Sequence, residues 1–351
     1  MTDLNKNYST TRCMQKVDAN LVNAEIKATH KPEDKFETVV FLPEGEGRQG
    51  EGGLRTQGYF KKSEKDKPLI TIVTVVYNGE QFLEETILSV INQTYDNVEY
   101  IIIDGGSSDG TLDIIRKYEH AIDYWVSEQD LGIYDAMNKG ITLSKGDYIN
   151  LLNSGDYYGQ DYLNDIFSNE VPNNNVVLYS NYVNVYEHLD LAIIVKPIQN
   201  FEKNMSICHQ TMFISKDVYE KFGIYCLKYS LASDYEYLLR MYISGVEFFK
   251  NESIGLFFRV EGASQSNMKK SMIEAYRINK KYFGIWSLAN FKFIFNNARV
   301  FFLFKIKAIL MLAIRDEAIL KIESDWLRKK YGDDCVAKGQ VDSVFKIPKF
   351  K

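Results

Sequence analysis

Residues 69–104 read LITIVTVVYNGEQFLEETILSVINQTYDNVEYIIID. The first nine are a β-branched run too apolar to face water on either side, which predicts a strand covered on both faces. Over residues 80–93, Phe82, Leu83, Ile87, Leu88, Val90 and Ile91 recur at helical spacing, so one side of a helix is apolar. VEYIIID (98–104) is a second buried strand. Strand, helix and strand in this order predict a parallel unit with a right-handed crossover.

The pattern continues in both directions. Residues 111–118 and 133–144 read as helices, and AIDYWVS (121–127) and DYINLLN (147–153) as strands. An α/β domain with a mostly parallel sheet follows, with ligands at the carboxyl ends of its strands. Beyond it, residues 176–188 read as strand, 211–223 as strand then helix stopped at Gly223, and 233–244 as helix. VEFFKN (246–251) and IGLFFRVEG (254–262) are strand-like, and the chain after Ser271 reads as helical to about Tyr331. Upstream, residues 1–67 are polar and carry six glycines between Gly45 and Gly58. No GK[ST] accompanies them, so they read as a flexible loop rather than a phosphate cradle. The expected division is an extension (1–67), a catalytic domain (68–268) and a basic, largely helical region (269–351).

The chain has 351 residues, 45% hydrophobic and 25% charged. That balance excludes a disordered, collagen-like or polytopic membrane protein. The net charge of −5 conceals a split. Residues 269–351 hold 18 basic and 8 acidic residues, against 24 and 39 in the remainder. Cys13, Cys208, Cys226 and Cys335 are scattered, as reduced thiols in a cytosol would be. The polar N-terminal stretch lacks the apolar core of a secretory signal, so a cytoplasmic location is expected.

Three strand or helix ends carry the chemistry. DGGSSDG (104–110) puts Asp104 at a strand terminus. There it can accept hydrogen bonds from a base or ribose, or simply anchor a turn, and Asp109 reads as a helix cap. NSGD (153–156) places Asp156 where a carboxylate can take a divalent cation or close a polar turn. SDYEYLLR (233–240) opens a helix with Asp234 in its first turn, as a cap or as a general base.

As an ordered set, these segments resemble glycosyltransferase family 2, the inverting, nucleotide-sugar-dependent transferases. ITIVTVVYNGEQFLEETILSVINQTYDNVEYIIIDGGSSDGT is similar to that family's nucleotide-binding half, and SEQDLGIYDAMNKGITLSKGDYINLLNSGD continues the match. CHQTMF and ASDYEYLLR resemble its acceptor side, and the likeness runs from Pro68 to about Ser264. It implies a GT-A-like nucleotide-binding fold with a C-terminal helical appendage. It also implies transfer of a sugar from a nucleoside diphosphate, UDP above others, to a glycan or lipid-linked glycan of a bacterial surface polysaccharide.

By position the resemblance gives Asp104 to the base, Thr74 and Tyr77 to the uridine wall and Asp130 to the nucleotide border. Asp156 falls to a Mn2+ or Mg2+ ion and Asp234 to proton abstraction. His209, Gln210 and Arg259 fall to diphosphate or acceptor contacts. Three positions depart from the pattern: Gly105 replaces a second acid, Asn153-Ser154-Gly155 replaces an acidic DxD, and Ser233 replaces a glutamate. Trp125 and Tyr134 are aromatic candidates for packing or stacking.

Two competing functions share parts of this pattern: a non-catalytic nucleotide-sugar or glycan-binding protein, and a sugar-1-phosphate nucleotidyltransferase. The second should carry its glycines in the first strand–helix turn, which here is Tyr77-Asn78-Gly79. Residues 291–314 are strongly apolar but broken by Lys292, Arg299, Lys305 and Lys307. They read as a helix packed on the domain or lying on an anionic membrane surface, peripheral to the inner face of the membrane. A nucleic-acid partner is not expected from an acidic body with an apolar basic tail.

Overall fold

The structure is a computed structural model that describes residues 6–17, 36, 38–45, 47–168, 171–172, 174–202, 205–260, 267–288, 290–295 and 316–340. Its centre is a mixed sheet. In chain order the strands are β1 (Gly50–Gly52), β2 (Ile70–Val76), β3 (Val98–Asp104), β4 (Tyr124–Ser127), β5 (Tyr148–Asn153), β6 (Tyr157–Tyr158), β7 (Val176–Tyr186), β8 (Leu191–Val195), β9 (Phe213–Ser215), β10 (Glu247–Arg259) and β11 (Cys335–Ala337). Their spatial order is β11-β8-β7-β9-β5-β2-β3-β4-β1, with β10 lying beside β7 and β6.

The pairings β5–β2, β2–β3 and β3–β4 are parallel, with Val76 opposite Asp104 and Val75 opposite Asn153. This register brings the ends of β2, β3 and β5 to one edge, where the polar motifs follow. The flanks are antiparallel at β9, β8, β11 and β1. β10 runs parallel to β7 as one strand with irregular register between Asn251 and Leu256, where two strands were expected. The bulge lets one strand follow both apolar stretches.

Side chains alternate across the sheet with period two. Ile70, Ile72, Val76, Tyr100 and Ile102 pack with Leu83, Ile87 and Ile91 of α1 (Leu83–Ile91). Val73, Val75, Ile101 and Ile103 pack on the opposite face with Met137 and Ile141. Those two belong to α3 (Ile133–Leu143), which follows α2 (Thr111–Lys117). A Cβ at Gly140 would overlap Val73, so this glycine sets how closely α3 lies on β2. Further helices among the described residues include α4 (Tyr162–Phe167), α5 (Lys216–Phe222), α6 (Ser233–Ile243), α7 (Met268–Phe283) and α8 (Asp316–Tyr331). The expected helical run after Ser271 is interrupted at Gly284, whose φ is 79°. Residues 296–314 of the apolar basic stretch lie outside the described residues.

The glycine-rich stretch expected to be a linker is part of the sheet. β1 pairs with β4 as an edge strand, and Gly53 packs directly on the backbone of Ile122 and Asp123. Earlier still, Ser9 Oγ donates to Val90 O and Thr10 Oγ1 to Ala121 O. Two buried ion pairs secure the segment: Arg55 to Glu99 at 2.7 Å and Lys61 to Asp123 at 2.6 Å. Burial pushes the Lys61 ammonium down and the Asp123 carboxyl up, so each charge depends on the other.

Removing one partner leaves the other charge buried. Lys61→Met should therefore lower stability by about 3–5 kcal/mol. The double variant Lys61→Met/Asp123→Leu should recover most of that loss in urea denaturation.

Candidate active site

A cleft of about 850 Å3 opens at the carboxyl edge of β2, β3 and β5. Its walls include Tyr77, Gly105, Gly106, Asp130, Gly132, Asn153, Asp156 and Arg259. Of the expected nucleotide-side residues, Tyr77 and Asp130 lie on this wall and Asp104 and Thr74 do not. Thr74 is buried with its hydroxyl 3.1 Å from Tyr100 Oη. Asp104 is fully buried. Its carboxylate accepts from Ser107 N at 3.0 Å and from the hydroxyls of Ser107 and Ser127. It fixes the loop after β3 from below, and in this geometry the loop backbone, not Asp104, faces the cleft.

Position 105 explains the opening above it. A Cβ there would overlap the Asp130 carboxylate. Gly105 therefore leaves room for an acid that arrives from the neighbouring loop after β4. Asp130 Oδ1 accepts from Gly132 N at 2.8 Å. Burial raises the pKa of its carboxyl, opposed by that amide and by Lys139. Glu128, two residues before, is tied to Arg48 at 2.6 Å and Lys139 at 2.8 Å. It braces the glycine-rich stretch against this loop and does not line the cleft.

Asp156 is 6% exposed. Its Oδ1 accepts from Arg259 N at 2.8 Å and its Oδ2 from Gln210 Nε2 at 2.7 Å. Burial raises its pKa to about 7 despite those bonds and the Arg259 charge. Gln210 Oε1 in turn accepts from Asn153 N at 2.9 Å. The Arg259 guanidinium bonds Gly155 O, Glu85 and Glu187, and lies over the rings of Phe82 and Tyr157 at 4.6 and 4.9 Å. It reaches the cleft wall with each of its three nitrogens bonded to one of these groups.

Asn153 Oδ1 and Ser154 Oγ are buried beside Asp156 without a hydrogen-bond partner. These hard neutral oxygens and one carboxylate fit a share of a Mn2+ or Mg2+ coordination sphere, with a ligand's phosphates supplying the rest. Among the described residues no cluster of three His, Cys, Asp or Glu could hold a metal unaided.

Asp234 lies in the first turn of α6 and is not part of the cleft wall. Its Oδ2 is 3.6 Å from His209 Nδ1, and His209 is the chain neighbour of Gln210. Burial lowers the pKa of His209, with Asp234 opposing, so the imidazole tends to be neutral. The 209–211 turn thus connects Asp156 on one side to Asp234 on the other. Sequence reasoning missed the partner on Asp234 Oδ1, the Tyr134 hydroxyl at 2.9 Å. Tyr134 lies 100 positions away in sequence, so no local spacing points to it. Trp125 is buried beside the strand Gly50–Gly52, with its Nε1 donating to Glu119 at 3.2 Å.

Comparison with known proteins fits this architecture. The profile described as Glycosyl transferase family 2 matches residues 71–221. An uncharacterized glycosyltransferase of Mycobacterium tuberculosis is 32% identical over 181 residues, 49% of this chain and 68% of that protein. TuaG of Bacillus subtilis, a putative teichuronic acid biosynthesis glycosyltransferase, is 36% identical over 100 residues, 28% of this chain and 40% of that protein. The crystal structure of GalNAc-T7 with UDP, GalNAc and Mn2+ superposes with a TM-score of 0.50 at 12% identity, covering 66% of this chain and 51% of that one. The likeness to GalNAc-T7 extends to the fold, which is of the GT-A type. With its profile spanning β2 to α5 and a relative matched over two thirds of its length, this chain belongs to glycosyltransferase family 2.

Proposed function

We propose that the protein transfers a sugar from a UDP-sugar to a hydroxyl of a glycan or lipid-linked glycan, with inversion, in the assembly of a bacterial surface polysaccharide. One observation carries the reading: a cleft walled by Tyr77, Asp130 and Asp156 is joined through the 209–211 turn to a further carboxylate, Asp234. Similarity to TuaG supports the polysaccharide class, and the family pattern supports the uridine nucleotide. Residues 68–268 are the catalytic unit in this reading.

Asp234 takes the proton of the acceptor hydroxyl as that oxygen bonds to the anomeric carbon. The bond from that carbon to the nucleoside diphosphate breaks on the opposite face, and the diphosphate leaves with its electron pair. A single displacement of this kind inverts the centre, as in inverting glycosidases. A divalent cation held by Asp156, with Asn153 and Ser154 at its side, would neutralise charge on the leaving diphosphate. Base catalysis supplies roughly 10²–10⁴-fold. Asp234→Asn should therefore lose about that factor in kcat and keep donor binding in a UDP titration.

On the nucleotide side, Asp130 takes the place that an acid at position 105 would occupy, and accepts from the base or ribose. Gly105→Ala, whose methyl displaces that carboxylate, should weaken UDP binding by about tenfold, the effect of one lost hydrogen bond to a charged group. Isothermal titration of UDP against both forms reads this out, and unchanged affinity removes Asp130 from the site.

The acceptor side is proposed to lie at an anionic membrane surface, peripheral to the inner face. Among the described residues no helix is long and apolar enough to cross a membrane. Support comes from Trp286, Phe291 and Phe295, which are 95%, 71% and 71% exposed with Lys292 among them. Apolar side chains interleaved with lysine suit an interface with anionic headgroups. The protein should float with phosphatidylglycerol vesicles, less so with neutral ones, and Trp286→Ser/Phe291→Ser should reduce flotation.

A further inference from the structure

The base proposed above has an asymmetric setting. Asp234 Oδ1 accepts from Tyr134 Oη at 2.9 Å and from Tyr235 N at 2.9 Å. Among the described residues, the nitrogen recorded near Oδ2 is His209 Nδ1 at 3.6 Å, beyond hydrogen-bond length. One oxygen is therefore held and the other is left for a substrate proton.

The group that holds it is itself fixed. Tyr134 is 7% exposed, and its ring packs on Tyr225 at 5.6 Å between centroids. One turn further along α3, Asn138 Nδ2 donates to Tyr225 O at 2.8 Å and Tyr225 N donates to Asn138 Oδ1 at 2.9 Å. That reciprocal pair locks α3 to the segment preceding α6. The same helix starts at the cleft, where Gly132 and Ile133 form part of the wall. The element bordering the donor cleft therefore also carries the phenol that touches the base.

We propose that Tyr134 is a positioning residue for Asp234, holding Oδ1 so that Oδ2 is presented to the acceptor hydroxyl. This rests on the reading of Asp234 as the general base.

The groups facing Asp234 are Tyr134 from α3, Cys208 and His209 from the turn before β9, and Tyr225 from the segment before α6. Burial pushes the Cys208 thiol up to about 12, raises both tyrosines and lowers His209. All four are neutral near pH 7, so among the described groups it is the hydrogen bonds to Oδ1 that orient the carboxylate.

The test is kcat and donor KM for the full chain, wild type and Tyr134→Phe, with Asp234→Asn as reference. Tyr134→Phe should lower kcat about ten- to a hundredfold, the range for a slightly misplaced group, and leave the donor KM unchanged. In the Asp234→Asn background the same change should have no further effect on kcat, because both act through the one carboxylate. Site-specific 3-fluorotyrosine at 134 keeps the ring and the donated hydrogen bond, so it should retain kcat within about a few-fold even if the phenylalanine variant folds poorly. Unchanged kcat in Tyr134→Phe, or a further loss of the same size in the Asp234→Asn background, with Asp234→Asn itself impaired, overturns the positioning role and leaves the base intact. Full turnover in Asp234→Asn overturns the base reading and the proposal with it.

Discussion

The buried carboxylate of Asp156 is the joint of this molecule. A carboxylate taken out of water is costly unless hydrogen bonds and charge compensate. Here the Gln210 amide takes one oxygen and the Arg259 backbone N–H the other. Those contacts pin the end of β5 to the 209–211 turn and to the end of β10, three segments far apart in sequence. Asn150 strengthens the seam by donating to Gln210 O and Met212 O at 2.9 and 2.8 Å. The distance between the cleft and Asp234 is set through this seam, because His209 sits on the same turn.

The nucleotide end shows a different economy. Asp104 is spent on holding Ser107 and Ser127, which shapes the loop after β3. The glycine that follows it then admits Asp130 from the next loop. An acid on the same strand end would have the backbone of β3 behind it. One on the loop after β4 instead depends on Gly132, whose φ of 116° closes the turn onto Oδ1. The cleft's acidic wall therefore draws on two crossovers rather than one.

The charge split also has a structural side. Within the acidic body, Glu99 and Asp123 are buried partners for the basic residues Arg55 and Lys61 of the N-terminal segment. Buried pairs of this kind add little net stability against an apolar alternative, but a mismatched partner is strongly penalised. They fix where the segment docks. The C-terminal end contributes β11, which pairs with β8 and buries Leu327 and Cys335 with Leu191 and Ile193. Part of the basic region therefore belongs to the sheet edge, while Trp286, Phe291 and Phe295, and Trp326 on α8, are exposed.

The parallel centre of the fold was legible in the sequence because β2, β3 and β5 are apolar on both faces, a signal that needs no partner to be read. Their ends fall within a residue or two of the expected ones. So were the polar motifs at their termini, since a strand that must be buried has to stop where its polar residues begin. What sequence could not supply were the short strands β6, β8 and β11 and the docking of β1. Each is made by pairing with a strand distant in the chain, and its own residues carry little periodicity. The same holds within the site. Sequence order placed Asp104, Asp130, Asp156 and Asp234 at element ends. Only the tertiary structure decided which carboxylates face the cleft and which are consumed by neighbouring donors. It also brought the Tyr134 hydroxyl to Asp234, because hydrogen bonds between side chains 100 positions apart depend on how helices pack rather than on spacing along the chain.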